Sequence, residues 1–272
     1  MQQLVRLVLG MVILAVLVGC ARTPPRTGVP QQGWNTLETS PGPGANPALG
    51  DRAPHPWSGG SPYVHQVHGI DVSRWQGDID WMRVRNAGIS FAFIKATEGG
   101  DQLDPNFRGY WVQAALARIP RGASHFYYFC RTGAEQARWL IQNVPREAGS
   151  LPPVLDLEWT NSRNCPRRPP ASEIHREANI FMDIVARHYG QRPIVYTTVD
   201  FYRENDLGRM NAEFWLRSVA NHPSVIYPGQ RWIFWQYTGT GIVPGVRGDT
   251  DLNAFVGSAQ DWRRWLQARL VR

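Results

Sequence analysis

The sequence has almost no lysine: Lys95 is the only one among 29 basic residues, and the formal net charge is +7. The arginines are scattered and form no stripe with interleaved aromatic residues, so the charge does not indicate a nucleic-acid partner. Cysteine is scarce too, with three in 272 residues, which excludes a disulfide-dense miniprotein. Only one stretch, near the N-terminus, is apolar and long enough to enter a bilayer, which excludes a multispan membrane protein.

The chain does contain ample surface for a hydrophobic core. Forty-three per cent of its residues are hydrophobic, and they include 12 Trp, 9 Tyr and 10 Phe. This composition excludes disorder across the whole chain. The length suits one large domain or two small ones, and an α/β barrel alone uses most of it.

The first twenty residues are typical of an export signal. Arg6 precedes the uncharged run Leu7–Gly19, which is short for a transmembrane span. The ending Leu17-Val-Gly-Cys20 resembles the bacterial lipobox. That resemblance implies removal of residues 1–19 as a signal peptide and attachment of lipid to Cys20, with a simple N-terminal anchor helix as the alternative.

A change of composition separates this signal from the folded region. Residues 20–64 are rich in Pro, Gly, Ser and Asn and show no helical or alternating period, which predicts a disordered tether. The folded region then occupies residues 65–272. Ala21, the residue after the lipidated cysteine, resembles the outer-membrane sorting pattern. We therefore expect an exported lipoprotein anchored to the cell envelope, at the outer membrane facing the periplasm.

Strand and helix patterns alternate through the first part of the folded region. Eight strand patterns occur in the order His68–Ser73, Phe91–Thr97, Gly122–Cys130, Leu155–Glu158, Pro193–Thr198, Phe214–Val219, Arg231–Tyr237 and Val246–Leu252. Helical periods follow the first five, whereas the later connections hold Pro and Gly without a period. A parallel crossover needs about a dozen residues. The sequence therefore predicts an irregular α/β barrel with irregular or antiparallel pairing near its end.

Acidic residues stand at the ends of several of these strand patterns, where barrels carry their chemistry. They are Asp71, Asp156 with Glu158, Asp251, and Glu98 just after the second strand. Asp156 and Glu158 are two apart, so their side chains face one way from Cα atoms about 6.6 Å apart. Two negative charges this close raise the pKa of one of the two carboxyl groups. A protonated acid beside an ionised one suits cleavage of a glycosidic bond. A structural ion-pair network is the alternative.

Five segments, in this order and spacing, resemble glycoside hydrolase family 25, the Chalaropsis-type lysozymes. They are His68–Gly77 (HGIDVSRWQG), Phe93–Gly99 (FIKATEG), Pro153–Glu158 (PVLDLE), Trp235–Tyr237 (WQY) and Asp251–Asn253 (DLN). The resemblance spans nearly the whole folded region. It implies a TIM-like barrel of five β/α units followed by three bare strands, (β/α)5(β)3, and a monomeric enzyme that needs no cofactor.

The resemblance also implies an activity, the hydrolysis of the β-1,4 bond between N-acetylmuramic acid and N-acetylglucosamine in peptidoglycan. Glu158 would be the general acid. Asp156 would either stabilise charge at the reacting sugar or steer its acetamido group. Asp71 and Asp251 would tune this pair and bind sugar hydroxyls. Further substrate contacts would come from Tyr196, Trp235 and Gln236, with core packing as the alternative for the aromatic rings.

The sequence departs from the family pattern at two places. The segment Gly99–Asp104 is one residue longer than usual, and Ser124 stands where a tyrosine is typical. Tyr127 or Tyr128 would supply that ring in a shifted register, and Tyr127 is the substrate-binding candidate. Lys95 is expected to be a structural partner for an acid.

Two cysteines of the folded region should lie close together. Cys130 ends the third strand pattern and Cys165 follows the fourth, so their loops are neighbours. In an exported protein this predicts a disulfide, with two buried free thiols as the alternative. The cysteines and the scattered histidines form no ligand cluster, so no metal site is expected.

Two other functions are compatible with the same barrel. One is a catalytically inactive lipoprotein that binds peptidoglycan. The other is a hydrolase of a different N-acetylhexosamine polymer, such as chitin.

Overall fold

The computed structural model describes residues 49–160, 162–163 and 165–272. The expected signal peptide 1–19, the lipidation site Cys20 and the tether as far as residue 48 lie outside the described residues. Within the described part, no helix is both long and apolar enough to cross a membrane.

Eight strands close into a barrel, and two short strands pair outside the closed ring. The ten strands are β1 (Gly50–Asp51), β2 (His68–Val72), β3 (Ile89–Glu98), β4 (Gln102–Leu103), β5 (Arg121–Phe126), β6 (Val154–Leu157), β7 (Ile194–Thr197), β8 (Glu213–Arg217), β9 (Phe234–Ile242) and β10 (Thr250–Phe255). The ring runs β2–β3–β5–β6–β7–β8–β9–β10 and closes from β10 onto β2, while β4 pairs with β3 and β1 with β9. The predicted irregular α/β barrel is therefore confirmed.

Seven α-helices lie among the described residues, and one of them follows each of the first five barrel strands. They are α1 (Trp81–Asn86), α2 (Phe107–Leu116), α3 (Gly133–Asn143), α4 (Ala171–Tyr189), α5 (Val199–Glu204), α6 (Pro223–Ile226) and α7 (Ala259–Arg269). The first five follow β2, β3, β5, β6 and β7, whereas the described chain between β9 and β10 contains no helix. Helix α4 buries Ile174, Phe181 and Val185 at helical spacing. It ends at Gly190, whose φ of 72° suits glycine.

Strand β10 runs opposite to the rest of the ring. It pairs antiparallel with both β9 and β2, whereas all other neighbours in the ring are parallel. The expected antiparallel pairing near the end of the chain is thus correct, but the strand is Thr250–Phe255 and not Val246–Leu252. Asp251 accordingly lies at the start of its strand, and the reversed direction brings it to the same barrel end as the last residues of the parallel strands.

The interior of the barrel is filled mainly by aromatic rings. Phe93 stacks on Trp215, with ring centroids 4.7 Å apart, and contacts Phe234 edge-to-face. Two glycines make room for these rings. A Cβ atom on Gly69 would lie 2.4 Å from Phe91, and one on Gly122 would lie 2.9 Å from Phe93. The interior is therefore a packed core rather than a pore, and chemistry is confined to its ends.

Residues 49–66, the N-terminal segment, pack on the outside of β9, where no helix covers the sheet. Strand β1 pairs with Gly241 and Ile242, and the Asp51 carboxylate accepts a hydrogen bond from Thr240 over 2.6 Å. Trp57 packs against Trp235. The expected boundary between tether and barrel, residue 64, was thus placed too late. Proline and glycine dominate this stretch, but its few aromatic side chains bury apolar surface on the bare strands.

Cys130 and Cys165 form a disulfide, as the sequence predicted, with their Cα atoms 5.6 Å apart. The bridge joins the segment after β5 to the segment after β6. It therefore ties together two loops on the side of the barrel where the parallel strands end.

Candidate active site

Four acidic residues meet at one end of the barrel, here called the mouth. Asp71 is near the end of β2, Asp156 and Glu158 are at the end of β6, and Asp251 is at the start of β10. Asp251 is the direct cross-strand partner of Asp71. The charges of Glu158 and Asp71 both raise the pKa of Asp156, as expected for acids that share one cavity. The structure thus brings the four predicted acids together.

Asp156 points into the barrel mouth. Its neighbours in register are Phe126 on β5 and Tyr196 on β7. The next residue, Leu157, faces the outer core, which is the hydrophobic layer between the barrel strands and the elements packed around them. The Asp156 Oδ1 atom is buried and has no hydrogen-bond partner among the described residues. Burial, reinforced by the charge of Glu158, raises the pKa of Asp156 well above its usual range. An acid with an unpartnered buried oxygen is suited to accept a hydrogen bond from a ligand.

Glu158 follows the last residue of β6 and shares the inward face of Asp156. Burial raises the pKa of its carboxyl, while the charges of Arg217 and Lys95 act in the opposite direction. No ion pair joins Glu158 to a basic side chain within the described residues. The carboxyl is therefore an acid that retains its proton to higher pH than an exposed glutamate, without being held in a salt bridge.

Asp71 and Asp251 form a second acid pair beside the first. The Asp71 Oδ2 atom accepts hydrogen bonds from Gln236, over 3.0 Å, and from Asn253, over 2.8 Å. Burial raises the pKa of Asp71, and these two hydrogen bonds lower it. Burial and the charge of Asp71 raise the pKa of Asp251 to about 8.

Gln236 connects this second pair to neighbouring strands. Its Oε1 atom accepts hydrogen bonds from the Tyr196 hydroxyl and from Arg217, each over 2.9 Å. Gln236, which was predicted to contact substrate, therefore lies within the polar network of the mouth. Tyr196 also reaches the mouth, but its ring is buried against Trp215, with centroids 4.6 Å apart. The Tyr196 ring therefore packs in the core, the alternative that the sequence left open, and only its hydroxyl reaches the polar network.

Two predicted substrate contacts lie on the wrong face of the sheet. Trp235 is completely buried in the outer core, and its indole Nε1 donates to the Ser218 carbonyl over 2.7 Å. Tyr127 is also buried in that core, against Phe129 and Phe181. Neither ring can touch a glycan, because side chains alternate along a strand and these two point away from the barrel axis.

Of the two tyrosines offered for the altered register, Tyr128 is the one that reaches the mouth. Its hydroxyl donates to Glu98 at the end of β3. Lys95 forms an ion pair with the same carboxylate over 2.6 Å, which agrees with the expected structural role of this lysine. The Lys95 ammonium also lies 4.8 Å from the centre of the Phe126 ring. These contacts link β3, β5 and the segment after β5 along one wall of the mouth.

Three mouth residues were not predicted from the sequence. Arg217 ends β8 directly after an apolar run, Asn253 lies within a quoted motif, and Trp75 lies in the turn after β2. Trp75 is 77% exposed and is covered on one side by the Arg74 guanidinium. Two sequence signals could have identified them. One is the polar Arg217 at the last position of a parallel strand, and the other is a tryptophan, Trp75, in the turn after β2.

The mouth is suited to acid–base chemistry. It holds buried acids with raised pKa values, an unpartnered acceptor and an exposed aromatic ring at the rim. Among the described residues, no group of three or more His, Cys, Asp or Glu side chains is arranged to hold a metal ion. The arrangement can supply a proton at a pH where exposed carboxylic acids are ionised, and it can stabilise positive charge nearby.

Comparison with known proteins agrees with this arrangement. The family model "Glycosyl hydrolases family 25" matches residues 70–246. The chain is 36% identical over 203 residues to "Lysozyme M1" of Streptomyces globisporus, which covers 71% of this chain and 69% of that relative. It is 35% identical over 205 residues to the uncharacterized protein YegX of Escherichia coli K12, covering 74% and 73%. A family 25 glycosyl hydrolase structure from Bacillus anthracis superposes with a TM-score of 0.71 at 32% identity, covering 79% and 98%.

Proposed function

The chain belongs to glycosyl hydrolase family 25, and from this premise we propose that Glu158 and Asp156 cleave the β-1,4 bond between N-acetylmuramic acid and N-acetylglucosamine. The chain is a glycoside hydrolase with lysozyme activity, and peptidoglycan is its substrate. The observation that carries the finer proposal is the position of two buried acids, two residues apart on β6, inside the barrel mouth.

Glu158 is the proposed general acid. Its raised pKa keeps a proton on the carboxyl at the pH where an exposed glutamate has lost it. That proton passes to the glycosidic oxygen as the bond between this oxygen and the sugar C1 breaks. The resulting Glu158 carboxylate then removes a proton from the water that attacks C1.

Asp156 is proposed to position the substrate's own nucleophile. Its buried Oδ1 atom lacks a partner and accepts a hydrogen bond from the N–H of the 2-acetamido group. The acetamido carbonyl oxygen then forms the bond to C1 as the leaving group departs. Water later attacks C1 and breaks this new bond, which restores the acetamido group. We place the proton that the β6 pair shares on Glu158 in the substrate complex, so Asp156 is a carboxylate that stabilises the positive charge developing on the acetamido group. This substrate-assisted course needs one protonated acid and one acceptor, which the β6 pair supplies.

One digestion assay separates this reaction from its alternatives. Purified peptidoglycan and chitin oligomers are incubated with the protein, and new reducing ends are counted and identified by mass spectrometry. Muramic acid at the new reducing ends supports the proposal. Faster cleavage of chitin oligomers would favour another N-acetylhexosamine polymer, and binding to peptidoglycan without new reducing ends would favour an inactive lipoprotein.

Export and anchoring are proposed on the sequence alone. Residues 1–19 direct export, Cys20 carries the lipid, and the following tether leaves the barrel free to reach the wall from the outer membrane. Labelling with a fatty-acid analogue tests this directly. Label that is lost in Cys20→Ser, together with recovery of that variant in the soluble periplasmic fraction, supports the anchor. Equal labelling of both proteins contradicts it.

A further inference from the structure

Two carboxamide side chains in the mouth converge on one oxygen atom of Asp71. Gln236 Nε2 and Asn253 Nδ2 both donate to Asp71 Oδ2, over 3.0 Å and 2.8 Å. A carboxamide can turn either its NH2 group or its oxygen toward a neighbour. The protonation state of the Asp71 carboxyl therefore depends on which neighbouring groups fix the orientation of each amide.

The far end of each amide faces donors that fix its orientation. The Trp215 indole Nε1 donates to Asn253 Oδ1 over 2.7 Å. Arg217 donates to Gln236 Oε1 over 2.9 Å. An indole N–H and a guanidinium have no acceptor atoms. Turning either amide over would bring two donors together, so both NH2 groups are held toward Asp71.

Asp251 has no comparable set of donors. It lies directly opposite Asp71 on the neighbouring antiparallel strand, which places the two Cβ atoms about 4.5–5.5 Å apart. Its nearest basic group, Arg217 Nη1, is 4.0 Å from Oδ1, and no hydrogen bond to the Asp251 carboxyl occurs among the described residues. Two carboxyl groups at this separation do not both ionise freely, so one retains a proton.

We infer that Gln236 and Asn253 are positioning residues that hold Asp71 in its ionised form, so that the proton shared by the acid pair resides on Asp251. Asp71 is then an acceptor only. The hydroxyl of protonated Asp251 is a donor, so the pair presents one donor and one acceptor to the hydroxyl and acetyl oxygens of a glycan. The role of this proton in binding a glycan rests on the proposed lysozyme reaction, whereas its location on Asp251 does not.

The surrounding charges are consistent with this distribution. Burial is the largest cause that raises the pKa of Asp251 to about 8, followed by the charge of Asp71, whereas Arg217 lowers it. Burial raises the pKa of Asp71, and the two amide hydrogen bonds act against this rise, whereas the Asp251 carboxyl has no such donors in the described part of the chain. The other titratable or charged groups that face the pair are Asp156, Glu158, Tyr196, Arg217 and Asp249.

Carbon-13 NMR of the side-chain carboxyl carbons locates the proton in substrate-free protein. Asp71→Asn and Asp251→Asn assign the two signals by subtraction. We expect Asp71 to ionise at lower pH than Asp251, which ionises near pH 8. A wild-type protein in which Asp71 is the later of the two to ionise overturns the inference. Because no glycan is present, this result is independent of whether the protein cleaves peptidoglycan by the proposed route.

A matched pair of variants tests the positioning role. Gln236→Met removes a donor to Asp71, so we expect ionisation of Asp71 to move up by about one pH unit. The acid limb of the wall-lysis pH profile should move with it. Gln230 is the control, because its Oε1 also accepts a tyrosine hydroxyl, that of Tyr202, over 2.9 Å. We expect Gln230→Met to change neither quantity.

Two results contradict the positioning role. One is an unchanged ionisation of Asp71 in Gln236→Met, and the other is an equal change in Gln230→Met. The titration of the wild-type protein decides where the proton resides without reference to either variant.

Discussion

Trp57 packs edge-to-face against Trp235, with their ring centroids 5.4 Å apart, on the outside of β9. The same ring contacts Tyr237, and the segment is fastened further by the ion pair of Arg52 with Asp249. These contacts replace the helix that would cover β9 in a regular barrel. The N-terminal segment is therefore part of the folded domain and contributes to its stability.

We predict that removing the Trp57 contact lowers the stability of the protein without lowering its catalytic activity. Trp57→Ala removes the aromatic surface between the N-terminal segment and β9 and should lower the free energy of unfolding by about 2–3 kcal/mol. Denaturant unfolding measures this. Trp75→Ala is the control, because Trp75 is 77% exposed and its loss should leave stability unchanged. Equal stability of the two variants would show that the segment does not brace the barrel.

The disulfide predicts a stability that depends on reductant. Cys130 and Cys165 close a loop with a sequence separation of 35, so reduction should cost about 3–4 kcal/mol in the chain-entropy model. Thermal unfolding with and without dithiothreitol measures the difference. The double variant Cys130→Ala/Cys165→Ala should unfold at the temperature of the reduced protein and be insensitive to reductant. A reductant effect that persists in this variant would assign it to another group.

Asp251 predicts a pH dependence of stability. Its pKa is raised to about 8 in the folded protein from an ordinary value of 3.8, so the folded state binds more protons between these values. The free energy of unfolding therefore falls as pH rises from about 4 to about 8. Asp251→Asn removes this penalty and should stabilise the protein by about 1–2 kcal/mol above pH 8, with no gain near pH 4.

Asp249→Asn is the matched control for this effect. The hydrogen bond from Arg52 is the largest cause that lowers the pKa of Asp249. The pH dependence of stability that Asp249 contributes is therefore opposite in sign to that of Asp251. The ionised Asp249 carboxylate stabilises the folded protein at neutral pH, and this stabilisation is lost as the pH falls through the lowered pKa. Asp249→Asn should therefore destabilise the protein at neutral pH and not in strong acid. A gain in Asp251→Asn that is independent of pH would contradict the assignment.

Asp156 predicts a change in kcat rather than in KM. Asp156→Asn retains an oxygen that can accept the acetamido N–H but loses the charge that stabilises the reacting group. We expect kcat to fall about a hundredfold or more, with KM nearly unchanged. Steady-state kinetics on soluble glycan fragments measures both constants. A rise in KM at constant kcat would mean that Asp156 only binds a sugar hydroxyl.

The sequence predicted the barrel because its strand and helix periods were clear in order and number. It also placed Asp156 and Glu158 on one face, because side chains two apart on a strand point the same way. That spacing does not depend on the register of the neighbouring strands. The pair was therefore the most secure part of the predicted site.

The sequence did not reveal which face of β9 is inside. Phe234, Trp235 and Tyr237 make both faces of this strand apolar, and Gln236 alone marks the inward one. Alternation cannot assign the phase of a strand that is buried on both sides. The ring of Trp235 was misassigned for this reason. The pairing of β10 was left open between irregular and antiparallel, because a short connection excludes a parallel crossover without fixing what replaces it.

Glu158→Gln gives the most direct measurement of the proposed chemistry. The amide keeps the shape of the side chain but cannot donate the proton, so release of reducing ends from peptidoglycan should fall by about 10²–10⁴-fold or more. Unchanged thermal unfolding would show that the fold is intact. Glu213→Gln, at the opposite end of the barrel, should retain activity. Wild-type rates in a folded Glu158→Gln protein would contradict the assignment of Glu158 as the general acid.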